Sequence, residues 1–404
     1  MLLLTLSIHY NEQEALFHPS VSFLPHYCAK SHISYTMFTV RSNVKDGRKT
    51  PQIKPSAIFL SLIIMVLFKK HSFLKLDQFM RTDAPKRFLG RDSRRLVAVS
   101  DTTISRSLST YFLAPLRKYL KTVYVRASQL GKCKIGLCGR KLKAACADAS
   151  MFGGFYGCVL QVLGEVNLLL DIEPTTGKGK ELPTTRTLLQ RAFQEYGPGF
   201  VDLFLLDGLY KDKKTINLIL SNESHVLVKT TETRLNIIQD ANGLFTHWEK
   251  FPGVEYQKGF DVDRLCEYQV WSCGSFQLWG VKSSIKVTHV TEDYIKKEKH
   301  EDFWVLSTDE SLSGLQMREG GHIRWRIENN GFKELDEQTN CDHVYTHDAH
   351  TFLALMLMIF IGWDLLLLFN LEGIRKGYKY VKWTLDFLSE LLKTDFCIEY
   401  QAIS

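Results

Sequence analysis

The order of hydrophobic patterns in this 404-residue chain predicts an α/β fold, a mixed sheet with flanking helices. Three observations predict it. Two β-type stretches, LKAACADAS and FYGCVLQVLGEVNLLLDIEP, follow one another from residue 142. A helical pattern, TLLQRAFQEY, then leads into VDLFLLDGLY, a run apolar on both faces and so suited to a central strand covered on both sides. Beyond residue 310 the period becomes helical again, so helices enclose the strands in sequence as they would in space.

Residues 1–53 show little periodicity and are expected to form a poorly structured extension. The opening MLLLTLSI lacks a basic flank and a small-residue cleavage pattern, so no export signal is expected and the chain is assigned to the cytoplasm. Nine irregularly spaced cysteines fit free thiols better than a disulfide framework. Cys133 and Cys138 look like half a zinc site, but no second ligand pair follows at suitable spacing.

Residues 54–140 read as a basic helical region. Pro55 and Ser56 start a buried helix over AIFLSLIIMVLF, FLKLDQFMRT continues at helical spacing, and Ser100-Asp101 caps a third helix, interrupted near Pro115. Residues 69–143 hold 19 Lys and Arg against four acids, whereas the rest of the chain is mildly acidic. Concentrated positive charge is the footprint of a surface that neutralises phosphates, so double-stranded DNA is the expected partner, with Arg106 among the contacts. Short helices in this segment suit a helix-turn-helix reader, and generic helical packing fits as well.

The first half of the sheet domain is expected over 141–230, with a hairpin turning near Gly164-Glu165 and a helix closed by Gly197-Pro198-Gly199. Gly177-Lys178-Gly179-Lys180 lacks phosphate-loop spacing and reads as a turn. Residues 231–309 form a β-rich insertion, on the strength of short aromatic and β-branched segments such as CEYQVWSC and DFWVLST. Residues 310–404 complete the domain with helices, ending in KYVKWTLDFLSELLK. The apolar run at 352–371 has the length of a membrane span; it follows a segment assigned to a soluble site, and no membrane is expected.

Asp148 and Asp207 are placed just past the ends of apolar strands, where an open α/β sheet puts its ligand crevice. Hard cations take oxygen ligands, and two ions can activate the attacking oxygen and stabilise the leaving oxygen of a phosphodiester. That chemistry requires acids from separate elements to converge. The third acid is Glu328 in HIRWRIENNGFK, where Arg324 lies four residues earlier and shares its helical face. A plain surface ion pair has the same spacing. Trp271 and Trp279 could stack on an unpaired base or pack in a core.

ADAS at Asp148, DGLY at Asp207 with Tyr210, and RWRIENNGFKEL at Glu328 resemble the Asp-Asp-Glu transposases of bacterial insertion sequences, specifically the group named after insertion sequence four. The resemblance covers roughly residues 54–370. It implies a ribonuclease-H-like core with a β-rich insertion before the last catalytic helix, and an N-terminal helical DNA-binding region. It implies catalytic, metal-holding roles for Asp148, Asp207 and Glu328, with Mg²⁺ or Mn²⁺, two ions, as cofactor. Arg324, Arg326, Lys333, Tyr210, Arg106 and Trp279 are then the DNA-binding residues, and a homodimer on two element ends is implied. Where the family pattern has Tyr before the Arg and Lys after the Glu, this chain has Gly321 and Leu335. A catalytically degenerate, DNA-binding remnant is the alternative reading.

Overall fold

The computed structural model describes residues 44–82, 99–177, 179–296, 298–325 and 327–370, with 384, 387, 389 and 390. Residues 1–43, Arg326 and nearly all of the expected C-terminal helix lie outside the described residues.

Among the described residues four helices come first: α1 Pro55–Leu67, α2 Phe73–Met80, α3 Asp101–Leu108 and α4 Leu113–Gln129. Pro55 starts α1 where its missing N–H has no partner to lose, and Ser100 caps α3 by accepting from the Thr103 N–H. The break expected at Pro115 falls instead at residues 109–112; Pro115 sits in the first turn of α4, where proline is tolerated. Residues 44–53, expected to be loose, are held onto these helices. Val44 is buried, Asp46 bridges to Tyr111, and Ser107 Oγ donates to Asp46 at 2.6 Å.

A hairpin of β1 Ile135–Leu137 and β2 Arg140–Leu142 follows, inside the segment expected to be helical. Cys138 and Gly139 both have positive φ, 42° and 91°, which is the mirror-image turn that matches the twist of a two-residue hairpin. Cys138 is therefore an exposed turn residue while Cys133 is buried, and the half zinc site does not form.

The main sheet contains nine strands: β3 Ala144–Phe152, β4 Phe155–Leu163, β5 Leu168–Thr175, β6 Leu203–Asp207, β7 His225–Thr230, β8 Glu255–Asp261, β9 Cys266–Phe276, β10 Ile285–Tyr294 and β11 Lys299–Ser307. Their order is β5-β4-β3-β6-β7-β11-β10-β9-β8. Strands β3, β4 and β5 are antiparallel neighbours, while β3, β6 and β7 run parallel. The first five strands thus have the order and directions of the ribonuclease-H-like sheet that the resemblance implied. Helix α5 Glu181–Tyr196 makes the crossover between β5 and β6, and α6 Lys213–Leu220 the one between β6 and β7.

The insertion is not a separate β module. Strand β11 pairs antiparallel with β7, so β8–β11 prolong the same sheet. It also opens with a helix, α7 Asn236–Phe245, whose buried Ile237, Ile238, Ala241 and Phe245 carry a helical period within a stretch read as strands.

Two apolar layers cover the sheet. One packs α4, α5 and a long helix, α10 Ala349–Phe369, against it, with α1 docked on the outer side of α10. The other is closed by α8 Gly314–Ile323 over Ala144, Cys146, Leu203, Leu205 and Leu227. Residues Ala349–Leu368 are long and apolar enough to cross a membrane, yet 94% of the apolar window is buried inside the protein. Gly362 lets α10 approach α1 closely, since a Cβ there would stand 2.8 Å from Val66. Asp364 lies wholly inside this layer. Its Oδ1 accepts the Leu169 N–H at 3.0 Å, and burial pushes its carboxyl far above the usual range.

Candidate active site

Asp148 and Asp207 meet through sheet register. Strands β3 and β6 pair in parallel up to Cys146 and Leu205, and each Asp lies two residues beyond that pair. Two residues is one full side-chain period, so both carboxylates project on the α8 face, as Cys146 and Leu205 do. Asp207 ends β6 and accepts the Leu209 N–H, capping a short 3₁₀ turn. Asp148 does not lie past a strand end as expected. It is the fifth of nine residues in β3, because β3 continues to pair with β4 after its pairing with β6 has stopped.

Glu328 arrives from above. Ser313 and Gln316 form a capping box that starts α8, and the helix ends at Arg324. The expected α-helix at Glu328 is a π-helical segment, Ile327–Lys333, followed by α9 Glu334–Thr339. Arg324 Nη1 lies 3.1 Å from Glu328 Oε1 and 3.6 Å from Asp148 Oδ2, so one guanidinium bridges two of the acids. Arg324 is only 6% exposed, so the guanidinium is shielded from water, while the Glu328 side chain is 37% exposed at the mouth of the site.

The electrostatics follow from that crowding. Burial pushes the Asp148 carboxyl up from 3.8 to about 6; the Ala149 N–H and Arg324 oppose the rise, and Asp207 and Glu328 add to it. Lys229, which sequence reasoning missed, is paired in register with Asp207 on β7. Burial lowers its ammonium pKa, and Nζ lies 3.8 Å over the Phe303 ring. The signal was available, since HVLVKT places one cation among apolar residues of a central strand.

The sheet extension anchors α8. Arg318 Nε donates to Glu292 Oε1 at 2.5 Å, His322 Nε2 lies 2.8 Å from the same oxygen, and Arg318 Nη2 is 3.0 Å from Asp261 Oδ2. Burial disfavours the Glu292 charge, but His322, Tyr294 and Arg318 outweigh it and hold the carboxyl at about 2, below its ordinary 4.5. Strands β8 and β10 of the insertion thus fix the helix that carries Arg324.

The remaining expected residues are spread out. Tyr210, expected at a DNA surface, is instead fully buried, and its oxygen accepts from Thr185 Oγ1 at 3.3 Å, so it packs in the core beside Asp207. Lys333 is exposed and 3.9 Å from Glu337. Arg106 is exposed on α3, in a cleft with Ser72, Asp101, Thr102 and His343. Trp279 is 83% exposed with Lys213 Nζ 3.6 Å over its ring, whereas Trp271 stacks on His289 in the sheet extension. Helix α4 packs on α10 and β5, with Arg117 bound to Asp171 and Lys121 to Glu195, so these two bases are engaged within the fold. Gly321 faces Val305, Lys229 and Phe303, and Leu335 is fully buried. A Lys at the latter position would be desolvated.

Fold and site together define a mixed α/β protein with a three-carboxylate centre on a ribonuclease-H-like sheet. No protein-family model and no curated protein matches the chain. Among solved structures it is similar to the cryo-EM structure of the piggyBac transposase synaptic complex with hairpin DNA. That likeness has 11% identity and a TM-score of 0.40, covering 94% of this chain and 82% of the other.

Proposed function

We propose that this chain is a DNA transposase of the Asp-Asp-Glu type, cleaving at element ends and transferring the freed strand into target DNA. The observation that carries the reading is the convergence of Asp148 and Asp207, from adjacent parallel strands, with Glu328 around the buried Arg324. The narrower placement in the insertion-sequence-four group rests on the Arg324–Glu328 stretch and on the insertion before it.

The donor set fits hard divalent cations. Asp148 and Glu328 share one guanidinium, Asp207 lies beside them without it, and Asp148 is held near 6, so the site is short of positive charge. Asp148, Asp207 and Glu328 would hold Mg²⁺ or Mn²⁺, two ions in the full scheme. Such ions supply Lewis acidity at the attacking and leaving oxygens of a phosphodiester. Arg324 neutralises phosphate charge beside the acids, and Lys229 adds a second cation on the same face. Trp279 with Lys213 offers an exposed ring and charge suited to a DNA strand. The basic helices and Arg106 add contacts to the duplex, and two element ends call for a homodimer acting on DNA in the cytoplasm.

The degenerate-remnant reading is favoured by Gly321 and Leu335, which put core packing where the family carries polar side chains. Mg²⁺-dependent nicking of an element-end oligonucleotide separates the two. Asp207→Ala is expected to abolish nicking and leave salt-dependent DNA binding unchanged. A parent protein that binds without nicking supports the remnant, and a variant that cuts like its parent ends the enzyme reading.

A further inference from the structure

Gln161 is the seventh of the nine residues of β4, opposite Cys146 of β3 and one side-chain period from Val159, the partner of Asp148. Its side chain therefore shares the carboxylate face. It is fully buried, and among the described residues neither Nε2 nor Oε1 has a hydrogen-bond partner. A buried amide with both ends unpaired destabilises a fold, and a leucine or methionine would fill the space without that cost.

What lies over the amide is the segment that carries Glu328. Gly331 is the fifth residue of Ile327–Lys333, three after Glu328, and a Cβ on it would stand 3.0 Å from both amide atoms of Gln161. A side chain at Gly331 would make the Gln161 amide give way by a few tenths of an ångström. Phe332, the next residue, packs edge-on against Phe152 of β3 at 5.6 Å, fixing the other flank. The segment itself is π-helical, a geometry with one residue more per turn than its α neighbours and found mostly at functional sites.

We infer that Gln161 is a positioning residue for the carboxylate site: its amide pairs with backbone groups of the overlying Ile327–Lys333 segment when the carboxylates take up a divalent ion, and so holds Glu328 beside Asp148 and Asp207. The inference rests on the reading of the three carboxylates as a divalent-ion site. It explains why a polar side chain is kept under a glycine at the cost of two unpaired atoms. An amide reserved for the loaded state has its partners only there.

The test compares the full-length parent with Gln161→Leu and Gly331→Ala, reading Mn²⁺ affinity by calorimetry and thermal midpoint without metal. Gln161→Leu removes two unpaired polar atoms, so its metal-free midpoint is expected to equal or exceed that of the parent. Its Mn²⁺ affinity is expected to fall about 10-fold or more, the usual effect of removing a group that orients a ligand. Gly331→Ala, which pushes the amide away, is expected to weaken Mn²⁺ binding in the same direction. A parent that binds Mn²⁺ and a Gln161→Leu protein that binds it equally well overturn the positioning role and leave the metal site standing. A Gln161→Leu protein that melts lower without metal and keeps its Mn²⁺ affinity makes Gln161 a packing residue and overturns the inference too. A parent that binds no Mn²⁺ overturns the site reading together with the inference.

Discussion

Replacing Asp148 with Asn should stabilise the metal-free protein at neutral pH and remove its response to divalent ions. The folded-state carboxyl titrates at about 6 against an ordinary 3.8, so its charged form opposes folding. Stability from the neutral acid is fully present below about 3.8 and is lost as pH rises through about 6. At 1.36 kcal/mol per pH unit the difference amounts to about 3 kcal/mol at pH 7.5, and about 2 once partial solvent screening at a 22% exposed side chain is allowed for. Asn keeps the acceptor for the Ala149 N–H, now 2.8 Å away, and Arg324 retains Glu328. With an unfolding entropy of about 2.1 cal/mol/K per residue, the 404-residue chain should melt about 2–3 °C higher as Asp148→Asn. Scanning calorimetry at pH 7.5 and pH 4, with chelator and then with Mn²⁺, checks this. The gain should vanish at pH 4. Mn²⁺ at about 100 times its Kd should raise the parent by about 2.7 kcal/mol and leave the variant unmoved. A variant that melts below its parent at pH 7.5 with chelator, or a gain unchanged at pH 4, would refute the argument from the buried Asp148 carboxyl.

Glu292→Gln has the opposite sign. Its folded carboxyl sits at about 2 against 4.5, so its contribution is present above about 4.5 and fades as pH falls through about 2. Urea unfolding at pH 7 should show a loss of about 3–5 kcal/mol, because Arg318 keeps only Asp261 among its partner acids in the buried network. Gly362→Ala should destabilise by about 1–3 kcal/mol, since its Cβ would meet the Val66 Cβ at 2.8 Å between two packed helices; denaturant melts of the pair measure it. Trp279→Ala should leave the melting midpoint within about 0.5 kcal/mol of the parent, as the ring is 83% exposed, and weaken binding of single-stranded DNA by about 1–3 kcal/mol in a fluorescence titration.

Much of the core was legible because strands and helices write their periods into the chain. The β4–β5 hairpin, the central β6 and the buried α1 all follow from local alternation or unbroken apolarity. Arg324 and Glu328 could be paired from a four-residue spacing alone. Less local features were not legible. Helix α7 was hidden among β-branched neighbours, and the β1–β2 hairpin was hidden by the basic helical segment before it. Tyr210 stood beside Asp207 in sequence, yet the 3₁₀ turn after β6 swings it under the sheet edge against Thr185.

By itself the sequence determined the class of fold and put forward Asp148, Asp207 and Glu328 as the candidate acids. Only the tertiary structure decided that β11 docks on β7 and makes the insertion an extension of one sheet, because strand pairing across 75 or so intervening residues leaves no local period. It alone put Lys229 beside Asp207, Gln161 beneath Gly331, and Glu292 under Arg318. Those contacts join segments far apart in the chain, and register and packing set them rather than spacing. Burial did the rest: it turned Asp148 from one strand residue among nine into a carboxyl held at about 6.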